Sequence, residues 1–432
     1  MRGMDILQAT FPEGGNPLNA EDANTPLGEN TTSKQMTDLD EAGEFLVEIN
    51  EGHTIADIQS TLDKFGISHQ RAFHPANADF TDLDDFYVLN VPNNQLGNLA
   101  TIEKELYKTL MVDWVEENEM ITISPIESTK LPKPIEQKYG INDPGLEQMW
   151  GFEAMGIDQL YKSIKEAKIQ PQRKATIAIL DTGVDAKHED LAGNYKSIRT
   201  KYDKDTQGHG THCAGIAGAV SNNAIGVASF SQNNDFVQIT SIPVLNNFGM
   251  GTQKSIVNGI IEAADNKVDV ISMSLGGRSN PTKQKAYEQA IKYANDAGAI
   301  VIVAAGNSND NAKNYAPANV KGVIAVSAVD EQLKRAAFSN YVSDLAMGVA
   351  APGVNIYSTF PKNEYKSLNG TSMATPYVSG FVGVMKSINP ALTTAEVYKI
   401  LQSSGIGTNT TSETGRLIQP GDAVKLVPVN LN

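Results

Sequence analysis

The sequence predicts an α/β protein whose parallel sheet is covered by helices on both faces, preceded by a small α+β domain of ferredoxin-like type. After about residue 143, short β-branched runs alternate with helix-like segments. Such near-continuous apolar runs are typical of parallel strands buried on both faces. A shorter alternation of strand and helix patterns covers residues 43–125, and a charged, proline-containing linker follows over residues 126–142.

The composition is that of an ordinary globular chain with two or three domains. The chain has 432 residues, of which 41% are hydrophobic and 20% are charged. Its formal charge of −15 argues against nucleic-acid partners. No apolar run approaches the roughly 18 residues that a membrane helix needs. Cys213 is the one cysteine, so an intrachain disulfide is excluded.

Residues 1–42 are rich in Gly, Pro, Asn, Thr and acidic side chains, which predicts a disordered acidic tail. The small domain then occupies residues 43–125. Its predicted strands cover residues 44–52, 86–92, 111–117 and 119–125, and its predicted helices cover residues 54–66 and 98–110. This order of elements indicates the ferredoxin-like arrangement.

The larger domain occupies residues 143–432. Its predicted strands cover residues 175–180, 236–245, 268–275, 299–305 and 323–329, with helices predicted at 252–265 and 281–298. Because active sites of parallel sheets lie at the carboxyl ends of the strands, the residues that follow each run are the candidates for function.

The stretch "NGTSMATPYVSG" (369–380) indicates a loop that turns into a helix, with Ser372 near the helix N-terminus and Pro376 in the first turn. A hydroxyl in that place is either a helix cap or a nucleophile. As a nucleophile, Ser372 needs a base, a group that orients the base, and donors for an oxyanion.

Three other residues occupy strand ends or helix starts. Asp181 directly follows the run "ATIAIL" (175–180). His209 is the second residue of the helix-like segment "GHGTHCAGIAG" (208–218), and Asn307 lies two residues after the run "AIVIVAA" (299–305). Asp181 and Asn307 could each be a simple turn former, and His209 with His212 could suggest a metal site. No carboxylate or third histidine has matching spacing, so we interpret His212 as a packing residue.

Together these residues supply the parts of a nucleophilic site. A serine hydroxyl is a poor nucleophile at neutral pH unless an imidazole takes its proton. The imidazole in turn needs a carboxylate to hold its tautomer. Asp181 would orient His209, His209 would activate Ser372, and Asn307 with the Ser372 N–H would stabilise an oxyanion.

The sequence resembles the subtilisin-like serine proteases, the subtilase family, over about residues 143–428. The resemblance rests on "AILDTGVD" at Asp181, "HGTHCAG" from His209, "NGTSMATPYVSG" at Ser372, "AAGN" ending at Asn307, and "MSLGG" at 273–277. It implies a serine endopeptidase that forms an acyl-enzyme. By position and pattern, residues 43–125 resemble the family's propeptide, which implies an autoinhibited zymogen processed within residues 126–142.

The resemblance also implies a substrate cleft for protein or peptide chains. The substrate-binding residues would be Ser274, Leu275, Gly276, Ala304, Ala305, Gly306, Gly249, Gly251 and Tyr315. Small residues dominate this set, so we expect broad specificity with apolar side chains preferred at substrate positions P1 and P4.

Structural Ca²⁺ is the cofactor that the resemblance implies. The segment "VSNNAIGVA" (220–228) resembles the family's calcium loop, and the implied ligands are Asp190, Ser221, Asn223, Ile225 and Val227, with Asp143 as an additional candidate. All-oxygen ligation suits Ca²⁺. The alternative is an Asn-Asn turn that holds no ion.

Several alternatives remain. The fold could serve as a non-catalytic binding module, and the domain over residues 43–125 could be a permanent regulator. An esterase of the α/β-hydrolase type would require a G-x-S-x-G elbow and a serine that precedes the histidine, which this chain lacks. We expect a secreted monomer whose signal peptide is absent from this chain, with a cytoplasmic enzyme as the alternative.

Overall fold

The computed structural model describes residues 43–123, 126–127 and 140–428. The predicted acidic tail over residues 1–42 and most of the predicted linker lie outside these ranges. Among the described residues, no helix is both long and apolar enough to cross a membrane.

The small domain has a four-stranded antiparallel sheet and two helices. Its elements are β1 (Glu44–Ile49), α1 (Gln59–Phe65), β2 (Ser68–Arg71), β3 (Phe86–Asn90), α2 (Leu99–Lys108) and β4 (Val112–Glu117), with short 3₁₀ turns at Ile55–Ile58, Ala78–Phe80, Leu83–Asp85 and Asn93–Asn98. The strand order β2-β3-β1-β4 is the ferredoxin-like one, as predicted. Strand β2 was missed because its sequence, SHQR, has no apolar residue.

Both faces of this small sheet are covered. Phe45, Val47 and Ile49 of β1 pack in a core with residues of α1 and α2, whereas Leu46 belongs to a core shared with the larger domain. Since alternate strand residues point to opposite faces, β1 is buried at all of its positions. The small domain is therefore packed against the larger one as a layer of the same body.

The larger domain is built around a seven-stranded parallel sheet. Its helices are α3 (Trp150–Ala154), α4 (Ile157–Glu166), α5 (His209–Gly218), α6 (Gln253–Asp265), α7 (Lys285–Asp296), α8 (Thr371–Ile388), α9 (Thr394–Ser404), α10 (Thr411–Thr414) and α11 (Pro420–Ala423). The sheet strands are β7 (Ala175–Asp181), β8 (Val237–Pro243), β10 (Val270–Met273), β12 (Ile300–Ala304), β14 (Val323–Val329), β15 (Gly348–Pro352) and β18 (Arg416–Leu417).

Short strands and turns complete this domain. They are β5 (Met120–Thr122), β6 (Ile126–Glu127), β9 (Met250–Thr252), β11 (Gly277–Arg278), β13 (Tyr315–Ala316), β16 (Ile356–Phe360) and β17 (Glu364–Asn369), with 3₁₀ turns at Pro144–Gln148, Ala192–Asn194, Thr200–Tyr202, Ala312–Asn314 and Val424–Leu426.

The order of the parallel sheet is β18-β15-β14-β12-β10-β7-β8. Its strands supply alternate residues to two cores: Ile177 and Ile179 pack with α5 and α8 on one face, and Ala178 and Leu180 pack with α6 and α7 on the other. Helices therefore cover both faces, as the β-branched runs predicted.

One predicted strand has a different partner from the one expected. Residues 119–125 were assigned to the small domain, but β5 pairs with β9 of the larger domain. The first two residues of the predicted linker, Ile126 and Glu127, form strand β6, which pairs with β17. The strand pattern was correct. Its partner could not be predicted, since a short apolar alternation does not encode which open sheet edge it will join.

Polar contacts between the domains are concentrated at the start of α7. Glu116 of β4 accepts hydrogen bonds from the backbone N–H groups of Lys285 (2.9 Å) and Ala286 (3.1 Å). It also accepts from the side chains of Gln253 and Trp114, each at 2.9 Å. Burial raises the pKa of Glu116, while these hydrogen bonds oppose the rise. The small domain thus caps a helix of the larger one.

We expect Glu116→Ala to lower the free energy of unfolding by about 2 kcal/mol, because it leaves helix N–H groups without an acceptor. The measurement is urea unfolding followed by tryptophan fluorescence, in a Ser372→Ala background that prevents self-digestion. The control is Glu117→Ala, because Glu117 is exposed on the same strand. Equal losses in the two variants would contradict the capping role.

Candidate active site

Asp181 and His209 form the centre of the site. Asp181 is the last residue of β7, and His209 is the first residue of α5. The His209 Nδ1 atom lies 2.8 Å and 2.9 Å from the two Asp181 carboxylate oxygens. Gly210 permits this approach, because a Cβ atom there would lie 2.1 Å from the carbonyl oxygen of Gly183.

The electrostatics of this pair favour a charged imidazole. Burial opposes the imidazolium, but the Asp181 carboxylate outweighs it and raises the pKa of His209 well above its ordinary value. Within the described part of the chain, the other ring nitrogen, Nε2, is buried and has no hydrogen-bond partner. That nitrogen is the one available to exchange a proton with another group.

Asp205 positions the start of α5 and was missed in the sequence. Its Oδ1 accepts from the backbone N–H groups of Gln207 (3.0 Å) and Gly208 (2.9 Å). Its Oδ2 accepts from the N–H (3.0 Å) and hydroxyl (2.7 Å) of Thr211. The hydroxyl of Thr182, next to Asp181, also donates to Asp205. The available signal was an acidic residue just before a helix start.

Ser372 is the second residue of α8, near the helix N-terminus as predicted. Its hydroxyl donates to the carbonyl oxygen of Ser274 at 3.1 Å rather than to His209. Cys213 lies between the two groups, with its Sγ 4.0 Å from His209 Nδ1 and 3.5 Å from the Ser372 carbonyl oxygen.

The expectation that Pro376 lies in the first helical turn was wrong, because it is the sixth residue of α8. Pro376 has no N–H, so the carbonyl of Ser372 cannot make the usual bond four residues along the helix. That carbonyl accepts instead from the Ser274 hydroxyl at 2.7 Å and from the Cys213 thiol at 3.5 Å. The free carbonyl thereby links the Ser372 backbone to α5 and to the residue that follows β10.

Asn307 is held with its amide in a defined orientation. Its Oδ1 accepts from the backbone N–H of Thr371 at 2.9 Å and from the Thr371 hydroxyl at 2.8 Å. The Thr371 hydroxyl in turn accepts from the Gly306 N–H at 3.1 Å. Because Oδ1 is used in this way, Nδ2 is the end that can donate to a ligand.

A cavity of about 270 Å³ lies beside Ser372. Its lining contains no charged residue and consists of Thr122, Ile123, Ser274, Leu275, Gly276, Ala304, Gly306, Asn307, Ser308, Tyr315, Thr371 and Ser372. Six of the nine predicted substrate-binding residues are in this lining. Gly249 and Gly251 lie along β9 beside it, whereas Ala305 is fully buried beneath it in the core.

The segment predicted to bind calcium forms a loop around two buried carboxylates. Asp190 accepts from the Asn223 side chain at 2.9 Å and from the Val227 N–H at 2.7 Å. Asp143 accepts from the N–H groups of Asn222 (2.6 Å) and Asn223 (3.1 Å). Burial raises the pKa of Asp190 to about 7 and also raises that of Asp143, although these donors oppose the rise.

The remaining predicted ligands belong to the same loop. The Ile225 N–H donates to the Asn223 Oδ1 at 2.9 Å, and the carbonyl of Ser221 accepts from Asn234 at 2.9 Å. The carboxylate oxygens of Asp143 and Asp190 thus accept N–H groups of this loop, and the assignment of its oxygen atoms as Ca²⁺ ligands stays a prediction.

His212 packs inside the protein, as we interpreted it from the sequence. Its Nε2 lies 2.9 Å from the carbonyl oxygen of Lys366. Burial lowers the pKa of His212 to about 3, so the ring is neutral at physiological pH. Among the described residues, one group of three His, Cys, Asp or Glu side chains lies close enough together to hold a metal ion, namely Asp181, His209 and Cys213. The nitrogen and sulfur atoms of this group do not suit Ca²⁺.

Comparisons with known proteins agree with this geometry. The sequence model of the subtilase family matches residues 172–417. Thermitase from Thermoactinomyces vulgaris is 45% identical over 218 residues, which cover 49% of this chain and 75% of that protein. Subtilisin DY from Bacillus licheniformis is 42% identical over 252 residues, which cover 56% of this chain and 88% of that protein.

A solved structure described as proteases from Pseudoalteromonas arctica PAMC 21717 is similar in fold. It has a TM-score of 0.59 and 29% identity, and the similarity covers 67% of this chain and 99% of that one. The family match extends over more than half of the chain and contains the strand and helix ends that carry Asp181, His209, Asn307 and Ser372. The chain belongs to the subtilase family and is a serine endopeptidase.

Proposed function

We propose that this endopeptidase cleaves peptide bonds through an acyl-enzyme on Ser372, with His209 as general base and Asp181 as the group that orients it. The observation that carries the proposal is the buried contact between Asp181 and His209 Nδ1, at 2.8 Å and 2.9 Å. When the His209 ring is neutral, this contact holds its one proton on Nδ1 and leaves Nε2 unprotonated, as a general base requires.

In the proposed reaction, the Ser372 hydroxyl turns from the Ser274 carbonyl towards His209 and transfers its proton to Nε2. The Ser372 oxygen attacks the substrate carbonyl carbon. The Asn307 Nδ2 and the Ser372 N–H then donate to the oxyanion. His209 returns the proton to the departing amine, and water hydrolyses the acyl-enzyme by the same route. The Asp181 carboxylate, which raises the pKa of His209, stabilises the imidazolium between these steps.

A fluorophosphonate probe tests the role of Ser372. We expect the wild-type chain to be labelled at Ser372 after its linker is nicked by trypsin, which cleaves after Lys130 and Lys138. The Ser372→Ala variant should remain unlabelled, and Asp181→Asn should react about four orders of magnitude more slowly. Equal labelling of wild type and Ser372→Ala would refute the assignment, and absence of labelling in nicked wild type would favour a non-catalytic binding module.

We also propose that the small domain inhibits the enzyme until the chain is cut within residues 126–142. This is supported by the pairing of β5 with β9 and by the contribution of Thr122 and Ile123 to the wall of the cavity at Ser372. A permanent regulatory domain is the alternative, and retention of the small domain by the fully active enzyme would favour it. The proposed enzyme is a secreted monomer that acts on protein substrates.

The proposed specificity is broad, with apolar side chains preferred at P1 and P4. The uncharged lining of the cavity supports the P1 preference. The buried side chain of Ile121, opposite Gly251, supports an apolar preference further along the cleft, because an apolar side chain is accommodated at that edge.

We expect peptides with Phe or Leu at P1 to be cleaved at least about tenfold faster than the matched Arg peptide, because the cavity offers a guanidinium no carboxylate partner. The measurement is kcat/KM for three peptides that differ only at P1. A preference for Arg would overturn this specificity.

We propose that Asp190 and Asn223, with backbone carbonyls of Ser221, Ile225 and Val227, hold a structural Ca²⁺ ion, and that Asp143 supports the same loop. The buried carboxylates fit such an ion, since a nearby cation would favour their charged forms. The ion would stabilise the fold by binding only the folded chain.

We compare the melting temperature of the Ser372→Ala variant with a chelator and with Ca²⁺ at about a hundred times its Kd. We expect the chelator to lower the melting temperature by roughly 5–10 °C. Asp190→Asn should lose this dependence on Ca²⁺. The control is Asp344→Asn, because Asp344 pairs with Lys313 on the surface and lies outside the loop. A melting temperature that chelation leaves unchanged would contradict the site.

A further inference from the structure

The loop that follows β12 carries a group on which the proposed reaction depends. It covers residues 305–310, contains no helix or strand, and includes Asn307 with Gly306 and Ser308 of the cavity lining. Gly306 has a φ of +104°, in the left-handed region that favours glycine. Because the loop has no strand or helix bonds of its own, other groups must hold its backbone in place.

One buried side chain binds that backbone on both sides of Asn307. Asn340 is fully buried. Its Nδ2 donates to the carbonyl oxygen of Ala305 at 2.9 Å. Its Oδ1 accepts from the backbone N–H groups of Ser308 and Asp310, each at 3.0 Å. The Asn340 amide therefore holds the chain before and after the residue that carries the oxyanion donor.

The loop also lies directly against Asn340. The backbone N–H of Asn340 donates to the Gly306 carbonyl oxygen at 2.8 Å. A Cβ atom on Gly306 would lie 2.4 Å from the Asn340 Nδ2 atom, so a larger residue would displace this contact. Asn340 is itself anchored, because the Ser339 hydroxyl donates to its carbonyl oxygen at 2.9 Å and accepts from the Ala328 N–H of β14 at 3.0 Å. The loop is thus connected to the central sheet.

The chemistry of these contacts explains why the residue is an asparagine. An amide oxygen has two lone pairs and can accept both N–H groups, while the amide nitrogen supplies a donor for the carbonyl. A carboxylate of the same size could accept the two N–H groups but has no proton for the Ala305 carbonyl. The side chain at position 340 is therefore matched to the loop on both of its polar atoms.

We propose that Asn340 is a positioning residue for the oxyanion donor: it sets the backbone from which the Asn307 amide reaches the reacting carbonyl. This inference rests on the proposed role of Asn307. Among the described residues that line the cavity at Ser372, Asn340 is not present. Its effect on the reaction therefore passes through the loop and not through contact with substrate.

Two anchors together define the direction of the Asn307 amide. Thr371 holds the Asn307 Oδ1 through its N–H at 2.9 Å and its hydroxyl at 2.8 Å, and Asn340 holds the backbone on either side. Without Asn340, the backbone anchor is lost and Nδ2 is no longer fixed where the oxyanion forms. A donor stabilises developing charge best when it is already in place, and a misplacement of about 1 Å can slow a reaction about a hundredfold.

The test measures kcat and KM of Asn340→Ala and wild type, each as the full chain nicked in its linker by trypsin, with the peptide that has Phe at P1. We expect kcat to fall at least about tenfold, because the oxyanion donor is displaced. We expect KM to change by less than about threefold, because the side chain removed does not line the cavity. A raised KM with an unchanged kcat would overturn the inference.

The double variant Asn307→Ala/Asn340→Ala distinguishes positioning from general damage. Asn307→Ala alone should lower kcat on the order of a hundredfold, because it removes the donor itself. If Asn340 acts through Asn307, the double variant should have the kcat of Asn307→Ala. Losses that multiply in the double variant would contradict the positioning role.

Asn389→Ala is the matched control, because Asn389 is also a buried amide that binds backbone groups. It accepts from the Ala391 N–H and donates to the Pro428 carbonyl oxygen, each at 3.1 Å. Both variants should lower the melting temperature in the Ser372→Ala background, but only Asn340→Ala should lower kcat. An equal loss of kcat in Asn389→Ala would show a general effect of lost stability and would overturn the inference.

Asn340→Ser provides a second replacement, and it carries the test if Asn340→Ala does not fold. Its hydroxyl remains an acceptor for the N–H groups of the loop, so it should retain more of the wild-type kcat than Asn340→Ala does.

The single variants also separate this inference from the proposed function. If Asn307→Ala lowers kcat but Asn340→Ala does not, Asn307 is the donor and the inference about Asn340 is wrong. If Asn307→Ala leaves kcat unchanged, the proposed oxyanion donor itself has failed.

Discussion

The buried contact between Asp181 and His209 is the interaction on which the rest of the site depends. Both side chains are removed from water, and a buried charge is costly unless it is paired. The protein meets this requirement by joining the end of β7 to the start of α5. Asp205 fixes that helix start, and Gly210 lets it approach. The position of the imidazole is therefore set by backbone packing rather than by surface side chains.

Ser372 is likewise held by buried contacts. Its hydroxyl and its carbonyl both contact Ser274, and the carbonyl is available for this because Pro376 supplies no N–H. Asn307 is tied to the neighbouring Thr371. The parallel sheet brings β7, β10 and β12 side by side, so groups that are far apart in the sequence meet at one edge. The segment that follows the small domain reaches the same edge, since β5 pairs with β9.

Much of this architecture could be predicted from the sequence. The β-branched runs indicated the strands, and the residues that follow β7 and β12 indicated where polar groups would meet. The partner of residues 119–125 could not be predicted, because strand pairing uses backbone hydrogen bonds, which do not depend on which residues are present. The role of Asp205 could not be predicted either, since it is one acidic residue in a polar loop. Its role is visible only in the folded structure, where five donors contact its carboxylate. Ala305 was predicted to bind substrate together with its neighbours Ala304 and Gly306, but it faces the core.

The cap that Glu116 provides has a consequence for the order of folding. Glu116 and Lys285 are separated by 169 residues, and contacts between such distant positions are slow to form by chance search. During synthesis the small domain emerges first, and its sheet is completed within residues 44–117, so it can be folded before α6 and α7 leave the ribosome. Helix α7 then meets a prearranged acceptor for its free N–H groups. The small domain thereby offers a surface on which part of the larger domain is assembled.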